Sequence, residues 1–233
     1  AMSQKSSELK AQGVDVINLS VGEPDFNTPE NIKKAAIKAV NDNFSHYSPV
    51  PGYPVLREAI AGKLKRENGL EYATSQILCS NGAKQSVCNV IMSIIQAGDE
   101  VIIPAPYWVS YPQMVKLAEG EPVCVSAGIE QDFKITPAQL EAAITPHTRA
   151  LIICSPSNPT GSIYSRAELE ALAEVLKKHE RIIVLSDEIY EHINYVGEHA
   201  SMAQVDGMKE RTVIINGVSK AYAMTGWRIG FIA

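Results

Sequence analysis

No Cys-x-x-Cys pair occurs in this 233-residue chain; its four cysteines, Cys79, Cys88, Cys124 and Cys154, are scattered and lie mostly inside apolar runs. That spacing excludes a disulfide framework or a zinc-type metal site and suits buried small side chains in a reducing compartment. No apolar run approaches the ~18 residues a membrane-crossing helix needs, and no signal-peptide pattern opens the chain. No basic stripe accompanies the net charge of −5, which disfavours a nucleic-acid partner. Repeats and low-complexity segments are also missing. The expectation is a cytoplasmic protein with neither membrane nor nucleic acid as partner.

What is present is apolar content of 45%, enough to bury the core of one large domain or one and a half. Short apolar runs alternate with amphipathic helical patterns. Gln76–Cys79 precedes a helix over Lys84–Gln96; Glu100–Ile103 precedes Ser110–Ala118; Pro122–Val125 precedes Pro137–Ile144; Ala150–Cys154 precedes Arg166–His179. Ile182–Leu185 and Val213–Ile215 complete the series. Such alternation predicts an α/β protein, a three-layer α/β/α sandwich around a mostly parallel, mixed sheet. Ahead of it, Asn31–Asn41 and Val55–Asn68 are helical, with Thr28 placed as N-cap and Pro29 as N1 of the first. Residues 1–30 read as an arm or part of a second, small domain, and 31–233 as a large domain. Both ends look cut: Ala1–Lys5 runs straight into helix, and Phe231–Ala233 stops inside an apolar run. A piece of something longer is expected.

Ligands of open α/β sheets collect at the carboxyl ends of the strands, and those ends are rich here. Val213–Ile215 leads into Asn216–Ser219 and delivers Lys220, with Arg228 eight residues later at the head of Ile229–Ile232. A strand-end amine backed by an arginine suits covalent capture of a phosphorylated aldehyde; a solvated surface lysine is the bland alternative. The turn Ser80–Lys84 opens a helix and offers free N–H groups to an anion, although a plain tight turn explains it equally well. Pro156 and Pro159 frame Ser157-Asn158 and aim one amide. Asp187 leaves a buried strand, where it needs a cation such as a protonated pyridine nitrogen, unless it or Glu188 caps a following helix. Trp108, one of two tryptophans, is placed to stack on a planar ring or to pack in the core. One ligand, pyridoxal 5'-phosphate, answers all five features.

With these residues the chain resembles the fold-type-I pyridoxal-phosphate-dependent aminotransferases, most closely the aspartate aminotransferase group that includes aspartate/prephenate aminotransferases. The carrying motifs are Val21–Phe26, Tyr47–Gly52, Gly82–Gln85, Pro106–Tyr111, Ser155–Gly161, Ser186–Glu191 and Ser219–Arg228. The resemblance implies that Lys220 forms the imine with the cofactor and acts as the catalytic base. It implies that Asp187 pairs with the pyridine nitrogen, that Tyr190 and Asn158 bond the phenolic oxygen, and that Trp108 stacks on the ring. The phosphate is expected on Gly82, the N–H groups of Ala83 and Lys84, and Arg228, with Tyr47 reaching the site of a neighbouring subunit in a homodimer. Gly22, Lys84, Trp108 and Asn158 are expected to meet substrate, Lys84 through the distal carboxylate of an acidic amino acid.

Three departures accompany the resemblance. Gly217 stands where the family commonly has a phosphate-touching serine, and Cys154 where close relatives carry asparagine. The C-terminal half of the small domain, with the arginine for the substrate α-carboxylate, is expected to lie outside the chain. The implied activity is amino transfer between aspartate or glutamate and a 2-oxo acid. A prephenate, aromatic or kynurenine-type aminotransferase, or a β-lyase of the same fold, are the alternatives. For the chain taken alone, an inactive cofactor-binding domain or a regulatory module is also open.

Overall fold

Alternation along each central strand divides the core into two faces. The computed structural model describes residues 2–17 and 22–233, so Val21 of the Val21–Phe26 motif lies outside the described residues. Seven strands form one sheet in the order β1-β7-β6-β5-β4-β2-β3: β1 (Leu78–Ser80), β2 (Glu100–Ala105), β3 (Glu121–Ser126), β4 (Thr148–Cys154), β5 (Ile183–Asp187), β6 (Thr212–Gly217) and β7 (Gly230–Ile232). The five strands β6, β5, β4, β2 and β3 run parallel, whereas β7 pairs antiparallel with both β6 and β1.

Ile102, Leu151, Ile153 and Val184 point to one face, where they pack with Leu140 of α6 (Pro137–Ala143) and with Leu169, Leu172 and Leu176 of α7 (Arg166–Leu176). Val101, Ile103, Ala150, Ile152, Leu185 and Ile215 point the other way. They meet Val87, Val90 and Ile91 of α4 (Ala83–Ile94) and Met114 and Val115 of α5 (Tyr111–Leu117). The period of two sends successive side chains into opposite layers, and helices on both faces make the three layers. Beyond β6, Ile214 and Phe231 carry a third cluster with Ile60 and Leu64 of α3 (Pro54–Asn68). Two helix starts are explicit in the sequence: Thr136 with Gln139 and Ser165 with Glu168 form reciprocal capping boxes.

Several local expectations are corrected. Thr28 does not cap α2 (Glu30–Asn41): Pro29 occupies the cap position, and the Thr28 hydroxyl instead donates to the Ala223 carbonyl at 2.7 Å. Thr74–Gln76 is a 3-10 turn, so β1 begins at Leu78. No helix follows Asp187 for it or Glu188 to cap. Glu188 is buried and accepts from Ser186 Oγ (2.7 Å), Ser201 Oγ (2.5 Å) and His199 Nε2 (2.9 Å). Ahead of α2 the chain carries α1 (Met2–Ala11), and residues 22–28 then lie across the loop that follows β6. Among the described residues, no helix is long and apolar enough to cross a membrane.

Candidate active site

The carboxyl ends of β4, β5 and β6 and the amino end of α4 open into one cleft of about 280 Å³. Gly22, Ala83, Lys84, Trp108, Asn158, Asp187, Tyr190, Lys220 and Arg228, all singled out from the sequence, line it together. Gly82, the residue before α4, does not line the cleft itself but packs against Arg228, which does. Tyr47 does not reach it: the side chain is fully exposed on the loop before α3.

Gly82 adopts φ +83°, and a Cβ there would lie 2.2 Å from Arg228 Nη2. Only glycine allows the turn and the guanidinium to share this space. The first helical bond of α4 is Ser86 N–H to Gly82 O, so the N–H groups of Ala83 and Lys84 have no partner one turn back. Ser80 Oγ lies 2.5 Å from Ser86 Oγ and pins the turn. Arg228 is held by the Thr225 carbonyl (2.6 Å) and the Asn81 carbonyl (3.4 Å). Two free amides, a helix N-terminus and a guanidinium converge, which is the donor set for a phosphate group. Gly217 contributes no hydroxyl. A Cβ there would meet the Ile229 carbonyl at 2.7 Å, so this backbone excludes the serine of the family pattern.

At the floor of the cleft, Asp187 is buried at 4% exposure, and no lysine, arginine or histidine among the described residues pairs with it. Burial raises its pKa to about 6, opposed by hydrogen bonds from the Tyr111 hydroxyl (2.6 Å) and the Ile189 N–H (3.3 Å); Glu188 pushes it further up. A buried carboxyl lacking a cation is a place for a cationic ligand atom. Above it, Asn158 Nδ2 donates to the Tyr190 hydroxyl oxygen at 3.3 Å, leaving the Tyr190 proton free to donate onward. Trp108 closes one side; its ring meets Tyr111 edge-on at 5.3 Å and 88°, and Lys84 Nζ lies 4.9 Å from its centroid.

Lys220 follows β6 and extends its half-buried amine into the cleft, where Nζ donates to the Gly22 carbonyl and lies 5.8 Å from the Tyr190 ring centroid. Burial lowers its pKa; Glu23 opposes this and Arg228 reinforces it. A partly desolvated amine deprotonates more readily and becomes a better nucleophile and base.

Sequence reasoning passed over Tyr111, Glu23, Ser219 and Thr225, which also line the cleft. All four stand inside quoted motifs, but nothing in their spacing shows that they face a ligand. Cys154, noted only as a departure, lies half-buried beside Asp187 in the strand register, and desolvation of its thiol pushes its pKa up to about 12.

An amine, a cation-seeking carboxylate, an indole and a phosphate cradle define an α/β protein with a site for a phosphorylated aromatic aldehyde, and pyridoxal phosphate fits that donor set. Residues 14–233 match the aminotransferase class I and II family model. The chain belongs to the aminotransferase class I and II family. It is 54% identical to a probable aspartate/prephenate aminotransferase of Rickettsia bellii, over 99% of this chain and 58% of that protein. It superposes on the aspartate aminotransferase of Rhizobium meliloti with a TM-score of 0.95 and 46% identity, covering 100% of this chain and 58% of the other. The Thermus thermophilus aspartate aminotransferase with maleate gives a TM-score of 0.96 at 46% identity, covering 100% and 60%. The chain therefore spans somewhat under two thirds of the length of these relatives.

Proposed function

We propose that this sequence serves pyridoxal-phosphate-dependent transfer of an amino group between an acidic L-amino acid, aspartate or glutamate, and a 2-oxo acid. The observation that carries the reading is the convergence of Lys220, Asp187 and the α4–Arg228 cradle on one cleft. When bound, pyridoxal phosphate supplies an aldehyde and an electron-withdrawing cationic ring.

Lys220 Nζ is the nucleophile toward that aldehyde and the group that takes and returns the substrate Cα proton. Its lowered basicity suits both tasks. The Asp187 carboxylate holds the proton on the ring nitrogen. Tyr190 and Asn158 direct donors at the phenolic oxygen, and Trp108 covers the ring and excludes water. Gly82, the Ala83 and Lys84 amides and Arg228 anchor the phosphate.

The Lys84 ammonium, held over Trp108 at the cleft wall, attracts the distal carboxylate of the substrate, whose backbone end lies near Gly22. Relatives titled for aspartate, and one solved with the dicarboxylate maleate, support an acidic substrate. Prephenate is the second reading, favoured by the printed names of the curated relatives and by its own second carboxylate.

Residues 31–233 are assigned as the large cofactor domain and 1–30 as an arm or part of a small domain. The exposed Tyr47, with Phe26, Val40, Phe44 and Val50 also exposed, suits a homodimer in which Tyr47 completes the partner's phosphate site. Four free cysteines suit the cytoplasm.

The test is direct. Pyridoxal phosphate is added, the absorbance followed, the adduct reduced with borohydride and the labelled lysine mapped. Label on Lys220 is expected; label spread over surface lysines rejects the reading. In the longer protein, rates on aspartate, glutamate and prephenate rank the substrates.

A further inference from the structure

Tyr111 is the largest fully buried side chain, at 1% exposure, and it occupies the first position of α5 at the cleft floor. Its hydroxyl donates to Asp187 Oδ2 at 2.6 Å, while Asp187 Oδ1 accepts the Ile189 N–H at 3.3 Å. Both carboxylate oxygens are therefore fixed, one by a neutral side chain and one by the backbone. The same Tyr111 ring supports Trp108 edge-on at 5.3 Å and 88°. One residue thus touches the group that would meet the cofactor's nitrogen and the group that would cover its face.

We propose that Tyr111 is a positioning residue: its buried hydroxyl orients Asp187 and keeps it ionised for the cofactor, while its ring sets the angle of Trp108. The inference rests on the reading of the cleft given above and adds a residue to it. A short O–H···O⁻ bond is among the stronger hydrogen bonds available in a dry site, and it favours the anion. The backbone N–H of Ile189 is longer and weaker by geometry. The ionisable groups facing Asp187 are Tyr111 from α5, Cys154 beside it on β4, and Glu188 and Tyr190, which follow it in sequence. Of these, Cys154 and Tyr190 are neutral acids whose own ionisation is suppressed by burial, and Glu188 is turned onto Ser186, Ser201 and His199. No other side chain among them donates to Asp187. Cys154 Sγ reaches both the Pro156 carbonyl, at 3.4 Å, and the Tyr111 hydroxyl, so the thiol can steady the phenol without competing for the carboxylate.

Tyr111→Phe removes one oxygen and keeps the ring, so the packing against Trp108 survives. The carboxyl titration of Asp187, followed by carbon-13 NMR in the cofactor-free chain and assigned with Asp187→Asn, is expected to move up by about one pH unit in Tyr111→Phe. Affinity for pyridoxal phosphate is expected to fall roughly tenfold near pH 5 and only about twofold at pH 7, and to match that of the parent chain at pH 9, where Asp187 is ionised in both proteins. A purely structural tyrosine would lower the melting temperature and weaken binding equally at every pH, and that result, or an unmoved Asp187 titration, overturns the proposal. Failure of the parent chain to label Lys220 would instead sink the reading of the cleft, while the cofactor-free titration still decides whether Tyr111 governs Asp187.

Discussion

Lys220 Nζ donates to the carbonyl of Gly22, a residue 198 positions earlier in the chain. The contact is one of four between residues 22–28 and the loop after β6: Thr225 Oγ1 donates to Glu23, Trp227 Nε1 donates to Thr28 Oγ1 at 3.2 Å, and the Thr28 hydroxyl donates to the Ala223 carbonyl at 2.7 Å. The front segment thereby forms a wall of the cleft and places the Glu23 charge near the reactive amine.

Glu23 raises the Lys220 pKa against the lowering by burial. Glu23→Gln is expected to lower it further, so that capture of pyridoxal by Lys220 extends to lower pH. The check is the pH profile of borohydride-trapped label. A profile moved to higher pH contradicts the electrostatic role given to Glu23.

Asp187 predicts a conflict between stability and function. An acid whose folded pKa is raised binds its proton more tightly when folded. Its contribution to stability is full below about 3.8 and is lost as pH rises through about 6. Above that window the ionised form costs up to about 3 kcal/mol. Asp187→Asn is expected to stabilise the cofactor-free chain at pH 8 by about 1–3 kcal/mol, with the gain gone by pH 4, and to weaken pyridoxal phosphate binding tenfold or more. Denaturant midpoints at both pH values, with a cofactor titration, measure it.

Gly82→Ala places a methyl group against Arg228 in a left-handed backbone. A loss of about 1–2 kcal/mol in stability is expected, together with at least a tenfold loss in phosphate-dependent affinity. Comparing pyridoxal with pyridoxal phosphate isolates the phosphate: the variant should bind the two alike, and a retained preference for the phosphorylated form contradicts the cradle.

Lys84 offers the phosphate its backbone N–H and the substrate its ammonium. Lys84→Ala is expected to change pyridoxal phosphate affinity less than about threefold while weakening maleate binding to the loaded chain about tenfold. Spectral titration with maleate reads both quantities. Equal losses would merge the two roles into one.

The sheet was legible because parallel strands buried on both faces must be apolar throughout, as Val101–Ile103 and Ala150–Ile153 are, and because helices with one apolar stripe must lie between them. Strand ends were legible too, since Asp187 closes such a run and Asn158 and Lys220 follow others within four or five residues. Thr28 misled for a physical reason: a hydroxyl before a proline-led helix is a good cap in isolation, but the distant Ala223 carbonyl competes for it and wins. Tyr111 was illegible as a functional residue because an aromatic at the head of an apolar helix looks like core. Only its hydroxyl, aimed at Asp187 from another element, says otherwise.

The order of residues by itself determined the layer architecture and the chemical kinds at each strand end, because periodicity and turn chemistry act over a few neighbouring positions. Tertiary structure alone decided which of those ends share a cleft, how dry Asp187 and Lys220 become, and that Glu23 and Tyr111 belong beside them. Desolvation and direct contact depend on atoms brought from strands and loops far apart in the chain, and no local pattern encodes that distance.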